Sequence, residues 1–563
     1  MKRKLLSCLL FLALAPARLW SDPLNLPFAD PGPALNLMAL EIARSTADLK
    51  LDNFSAPYFV AYRLTNQRSL TLISKFGSLA GAYQSRQQQL YAEVRYGDYA
   101  LDNTGQYHEG AGGYASLDMK PDGFRQALWI LTDLAYKSAI ADYLEKKAKQ
   151  AEELDREMLP DFSTAAVARS LQRPAEPPLS AEEWGRALNQ MTLGATQFPH
   201  LTLGQARLDF SENFVTFLNS EGTRLAYPEN LNTLALQLEV SGVAPDGMQL
   251  SLSRRYFAPR WEELPALDDL KRSMKEMALE VKNLQSAPVQ KPVTAPAILD
   301  PKSSAVLMHE ALGHRLEGER QREEGGQTFK NRMGKAILPD FINIIDDPTM
   351  KEFQGTGLNG YFPFDAEGVA SQRVVLVEKG VLKNFLLSRR PAANSGASNG
   401  HGRASLDRRP MGRIGNLILQ SLETTPVSKL KLMLLAECRR RGAPYGFLIR
   451  RASSGDTATS RQVSQVLRFF PEIVIRVDAK TGEETLVRGV YMLGTPLVTL
   501  RKIIAAGDDP QAVNAYCDAE SGTVMVSHIA PSLLLEEVEL ERLPDDRRRP
   551  PILKPPFSPE TPQ

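Results

Sequence analysis

Between Ser303 and Glu319 the chain reads SSAVLMHEALGHRLEGE. No other stretch constrains the fold as tightly, because His309, Glu310 and His314, side chains suited to one metal centre, fall within six positions. Imidazole nitrogen is a good zinc ligand, and a carboxylate beside the ion can take a proton from water. The pattern is H-E-x-x-x-H, one residue longer than the H-E-x-x-H of helix-borne zinc sites. At about 100° per residue, two histidines five apart on a straight helix point roughly 140° from each other. Either the helix breaks between them, or only one of them binds. Gly313, directly before His314, tolerates an irregular backbone, so the spacing predicts a helix distorted there. The competing reading is a satisfied core histidine, the usual state of a lone His on an apolar helix face. Two of six histidines bracketing a glutamate, just after the apolar run 305–308, put a metal group set against a core on a level with that reading.

The remaining sequence says what surrounds that group. At 563 residues the chain can bury more than one core, and 43% hydrophobic with 24% charged residues is an ordinary globular balance. Residues 1–21 read as a secretory signal: Lys2-Arg3-Lys4 is the positive start, and Leu5–Ala17 is an apolar stretch too short to span a bilayer comfortably. Without Lys2, Arg3, Lys4 and Arg18 the net charge falls by four, from +1 to −3, which gives no nucleic-acid footprint. No other stretch approaches a membrane span. The expectation is an exported, periplasmic protein with two remaining cysteines, Cys438 and Cys517. In an oxidising compartment they would form one disulfide, unless one is a thiolate held by metal.

Periodicity divides the chain into an α+β fold of two domains. In the N-terminal α/β-type domain (22–290), helical spacing covers 34–49, 124–154 and 267–284. Strand-like runs lie at 57–63, 69–76, 88–96, 208–218 and 234–240. Pro288, Pro292 and Pro296 mark the boundary. The C-terminal domain (291–543) opens with the metal-like helix, capped by Ser303 or Ser304, and continues largely as antiparallel β. Strands are expected at 341–345, 374–377, 382–387, 445–451, 473–477 and 486–492, and a helix at 427–441. The Gly-rich 393–402 segment reads as a connection or a cleft lining, and the Pro-rich tail 544–563 as disordered.

With these residues laid out, the chain resembles the TldD/PmbA metallopeptidase family. The resemblance rests on LMHEALGHRLEGE (307–319), GYFPFDAEGVASQRVVLVEKGVLKNFLLSRR (360–390), the 393–402 loop and the Cys517 segment. It implies the TldD-like, metal-binding branch: zinc held by His309, His314 and Cys517, with Glu310 catalytic. Glu317, His401 and His528 remain alternatives for the third ligand. It also implies a zinc-dependent peptidase hydrolysing unstructured peptides or unfolded segments in a cleft, working as a homodimer or as a heterodimer with a family member. The alternative is a non-catalytic exported binding or assembly partner that keeps a structural metal or a disulfide.

Overall fold

The computed structural model describes residues 28–105, 110–152, 159–174, 180–322, 328–392, 396–405, 407–459, 466–544, 547 and 549–557. The expected signal segment 1–21 lies outside them, as do parts of the 393–402 loop and of the 544–563 tail.

The N-terminal unit is one eight-stranded sheet covered by helices. Its strands are β1 (Phe59–Lys75), β2 (Ser78–Arg95), β3 (Ala111–Ala115), β4 (Arg169–Leu171), β5 (Leu201–Asn219), β6 (Arg224–Pro228), β7 (Leu234–Val243) and β8 (Gln249–Ala258). They run in the order β3-β2-β1-β5-β6-β4, and β7 joins β5 to β8. The helices are α1 (Pro31–Asp48), α2 (Pro121–Glu152), α3 (Ala181–Leu193) and α4 (Leu267–Ser286). Strand residues two apart share a face. Val60, Tyr62 and Leu64 pack with α1 and α2, while Leu70 and Leu72 enter the cluster under α3 and α4. One face of β1 is therefore helix-covered along its length. The opposite face, carrying Arg63 and Gln67, looks toward the C-terminal unit.

The two short strands expected at 57–63 and 69–76 are this single strand β1. The polar run between them broke the sequence pattern, but two of its side chains are paired: Gln67 donates to Asn213 at 3.0 Å, and Arg68 to Glu212 at 2.5 Å.

The C-terminal unit holds two larger sheets. One runs β14-β13-β10-β17-β24-β23, built from β10 (Ile342–Asp346), β13 (Val374–Glu378), β14 (Val381–Leu382), β17 (Asn416–Ser421), β23 (Gln511–Ala519) and β24 (Gly522–Ala530). It is antiparallel except where β17 meets β24. The other contains β9 (Val293–Leu299), β18 (Tyr445–Thr457), β19 (Leu467–Asp478), β20 (Glu484–Val487), β21 (Val490–Gly494), β22 (Ile503–Ala506) and β25 (Leu533–Arg542). Its path β18-β9-β25-β21-β19 closes through a β18–β19 pairing, so five of its strands form a ring. Two-residue ladders β11 (Glu352–Phe353) with β12 (Thr356–Gly357), and β15 (Gly402–Arg403) with β16 (Met411–Gly412), complete the strands. Helices α5 (Pro301–Ala311), α6 (Val427–Arg441) and α7 (Pro496–Arg501) accompany them. No described helix is long and apolar enough to cross a membrane.

Helix α5 follows β9 directly and buries Leu307, Met308 and Ala311 in a core shared with Phe447, Ile449 and Phe469 of the ring and Ile414, Leu417 and Val526 on the six-stranded side. At about 25 cal/mol per Å², each such large side chain contributes roughly 1.5–3 kcal/mol, which fixes the helix between the two sheets. Its cap is Asp300, not Ser303 or Ser304: Asp300 Oδ1 accepts from the Ser303 amide at 2.8 Å, and Pro301 occupies the first turn. Ser303 Oγ instead accepts from the Ala452 amide on β18.

Two further expectations change. Of 382–387 only Leu382 is strand, because the following residues bond the turns after α5: Leu386 N–H reaches Leu316 O, and Gly318 N–H reaches Leu386 O, both at 2.8 Å. The strand expected at 486–492 divides into β20 and β21 at Gly489, whose φ is +80°.

Candidate metal centre and active site

The helix that carries His309 and Glu310 ends at Ala311, and Gly313–Leu316 is a 3₁₀ turn. The joint is Leu312, at φ −121° and ψ −50°. Tightening the helix there brings the His314 ring to 4.7 Å from that of His309, centroid to centroid. Gly313 is required for room: a Cβ there would lie 2.5 Å from Ile414 Cδ1. Arg315 secures the break by donating to the carbonyls of Glu310 at 2.8 Å and Ala311 at 3.4 Å. These are two of the acceptors a helix C-terminus leaves unpaired.

Cys517 arrives from β23, on the edge of the six-stranded sheet. One ligand atom each from His309, His314 and Cys517 lie within 4.8 Å of one another, and all three residues are buried. The Cys517 Sγ to His314 Nε2 separation is 3.7 Å. Tetrahedral zinc with bonds of about 2.3 Å to sulfur and 2.05 Å to nitrogen would set these atoms about 3.6 Å apart. Two imidazoles and a thiolate are a zinc-type donor set with a fourth position to spare. The residues fit the ion.

A second ring of groups orients the first. His314 Nδ1 faces Glu317 Oε1 at 3.2 Å, leaving Nε2 toward the cysteine. His309 Nδ1 faces His528 Nε2 at 2.8 Å. The His528 ring also bonds the Val513 backbone in the sense that favours its protonation. A proton on that side of His528 leaves Nε2 to accept from His309, and His309 Nε2 bare for a metal. Arg413, fully buried, donates to Cys517 O at 2.9 Å and Cys517 Sγ at 3.1 Å.

The charges agree with this arrangement. Burial pushes the Cys517 thiol up, but His309 and His314 outweigh it and bring it down to about 4. Burial alone would lower His314; the Glu317 carboxylate and Cys517 raise it to about 10. Glu317 itself, despite burial, is held at about 2 by His314 and Arg320. Glu310 is raised, chiefly by burial, with the two histidines opposing. A raised carboxyl is the direction a general base near neutral pH requires.

Glu310 lines a cavity of 1430 Å³ together with His309, His314, Cys517 and His528. The cavity is also lined by residues 253–259, the second half of β8 and the residue after it, in the N-terminal unit. Of the alternative third ligands, His528 and Glu317 are those partners of the two histidines, whereas His401 is fully buried against Asp346 Oδ1 at 3.2 Å. Cys438 and Cys517 are both free thiols, and Cys438 is buried among α6 residues Leu430 and Leu434. Sequence reasoning missed Arg413 and Arg315 altogether. An arginine is an ordinary surface residue in a sequence, and only burial of both side chains distinguishes these two.

Residues 292–542 match the family model of the PmbA/TldA metallopeptidase C-terminal domain. Over those residues the chain carries the C-terminal domain of the TldD/PmbA family. Among its relatives, a metalloprotease of Archaeoglobus fulgidus is 27% identical over 329 residues, covering 55% of this chain and 71% of that protein. A zinc metalloprotease TldD homolog of Saccharolobus solfataricus is 27% identical over 248 residues, covering 44% of this chain and 51% of its own length. TldE from Thermococcus kodakarensis superposes with a TM-score of 0.57 at 14% identity, over 90% of this chain and 100% of that one. That likeness extends the TldD/PmbA fold to the N-terminal unit, where the family model does not reach.

Proposed function

We propose that the protein is a zinc-dependent peptidase that hydrolyses unstructured peptides or unfolded segments inside the cavity between its two units. The observation that carries this reading is the convergence of His309, His314 and Cys517 beside Glu310 on one cavity wall. The names of the relatives, metalloprotease and zinc metalloprotease, support the same class.

Bound by these three residues, zinc would supply a Lewis acid for the scissile carbonyl and a water made acidic enough to react near neutral pH. The chain's own residues do the rest. Glu310 takes the proton of the attacking water and returns it to the leaving amine. Glu317 and His528 hold the two imidazoles in their ligating tautomers. The Arg413 N–H on Cys517 Sγ draws off part of the thiolate's charge, which would otherwise weaken the pull on the carbonyl. Walls supplied by both units admit an extended chain, whereas a folded domain would not reach the centre.

Glu310→Gln tests the proposal, because the amide keeps the shape and cannot accept the proton. Zinc content should be unchanged, and turnover of an unstructured peptide should fall on the order of a hundredfold or more. Near-normal turnover would remove Glu310 from the chemistry.

A further inference from the structure

Lys302 is a cation that the centre does not use. It sits half-buried in the first turn of α5 and lines the same cavity as His309 and Glu310. Burial lowers its pKa first of all; among nearby charges Glu472 and Asp300 oppose that, while Arg451 and Arg255 reinforce it. Among the described residues its ammonium makes no hydrogen bond or ion pair. The nearby acids are already engaged. Asp300 caps α5 with one oxygen and accepts the Arg451 amide with the other. Glu472 Oε1 accepts the Ser253 amide at 2.9 Å, and its Oε2 lies 3.8 Å from Arg451 Nε.

We propose that Lys302 is a specificity-determining residue that binds a carboxylate of the peptide substrate. The inference rests on the peptidase reading above and adds to it a substrate preference. An ammonium has three donors and no acceptor. A peptide filling the cavity would strip its water, and a neutral carbonyl would leave the charge uncompensated. A carboxylate supplies both the acceptor and the opposite charge.

The helix sets where that carboxylate must be. Lys302 and His309 are seven residues apart, two turns on nearly the same face, or about 10.5 Å along the axis. An extended peptide advances about 3.3 Å per residue, so the group read by Lys302 belongs about three residues from the cleaved bond. Both an acidic side chain at that position and the free C-terminus of a short peptide have this chemistry.

The test uses N-acetylated unstructured peptides carrying Glu or Gln at the third residue on either side of the cleaved bond, each with a free or amidated C-terminus. For wild type, the carboxylate-bearing peptides should show KM about tenfold lower than the neutral one at similar kcat. Lys302→Met should abolish that difference and leave the neutral peptide's KM unchanged, and Lys302→Glu should favour Lys at the same position. Dependence on amidation alone assigns the C-terminus; dependence on Glu alone assigns the side chain. A wild type indifferent to charge, or an equal loss for the neutral peptide, would overturn the proposal. Cleavage of the neutral peptide reads the peptidase function separately. If no peptide is cut, anisotropy binding of the same labelled peptides to wild type and Lys302→Met decides the carboxylate preference.

Discussion

At the scale of residues, the centre depends on pairs that the chain brings from far apart. His309 and His528 are separated by 219 positions and meet at 2.8 Å. If the role of Glu317 and His528 is to orient imidazoles, removing either should weaken the ion without abolishing the site. Glu317→Gln and His528→Ala are expected to lower zinc affinity 10- to 100-fold, measured by competition with a chromophoric chelator. Unchanged affinity in both would show that the ligands hold their own orientation. The motif itself was legible: H-E-x-x-x-H demanded a broken helix, and the helix breaks. The reason was not. Gly313 carries no left-handed backbone; Leu312 takes the non-helical angles, and Gly313 is small because Ile414 lies against it. That contact crosses about 100 positions, and no local reading contains it.

At the scale of elements, β18 positions α5 and so positions Glu310. Gly455 on β18 faces the helix, and a Cβ there would lie 2.6 Å from Glu310 Cγ and 3.0 Å from Val306 Cγ1. Gly455→Ala should therefore displace the Glu310 side chain. Overpacking of this kind costs roughly 1–3 kcal/mol, and a misplacement near 1 Å costs about a hundredfold in rate. The expected outcome is full zinc content with kcat lowered at least tenfold; retained kcat would mean that Glu310 accommodates the methyl. Most helices and strands were readable from periodicity, with α6 falling at 427–441 as the spacing indicated. The exceptions are informative. Residues 383–387 have strand composition, yet they line the turns after α5, a partner that only the tertiary fold supplies.

At the scale of the whole molecule, the cavity exists because two units face each other, and polar clasps join them. Arg389, fully buried, makes a bidentate ion pair with Glu221, and Arg322 bonds Asp161 at 3.1 Å. Asp161 also accepts the Asp102 amide. Asp102 in turn pairs with Arg95 at 2.9 Å. Burial would raise the Asp102 carboxyl, but Arg95 and Thr104 outweigh it and hold it at about 2. A folded-state value below the unfolded one means that this stability is present above about pH 4 and lost as pH falls toward 2. Chemical denaturation of wild type should thus lose about 2 kcal/mol more than Asp102→Asn across that window; equal losses would remove Asp102 from the acid response. The facing surfaces of the two units were not visible in the sequence, since the residues that join them read as ordinary charged positions.

We propose above that His309, His314 and Cys517 hold zinc. Metal analysis of the purified protein beside its His314→Ala variant tests it most directly. About one zinc per chain is expected in wild type and little in the variant, with both folded by circular dichroism. Equal zinc in the two proteins, or none in a wild type that cleaves peptide, would contradict it.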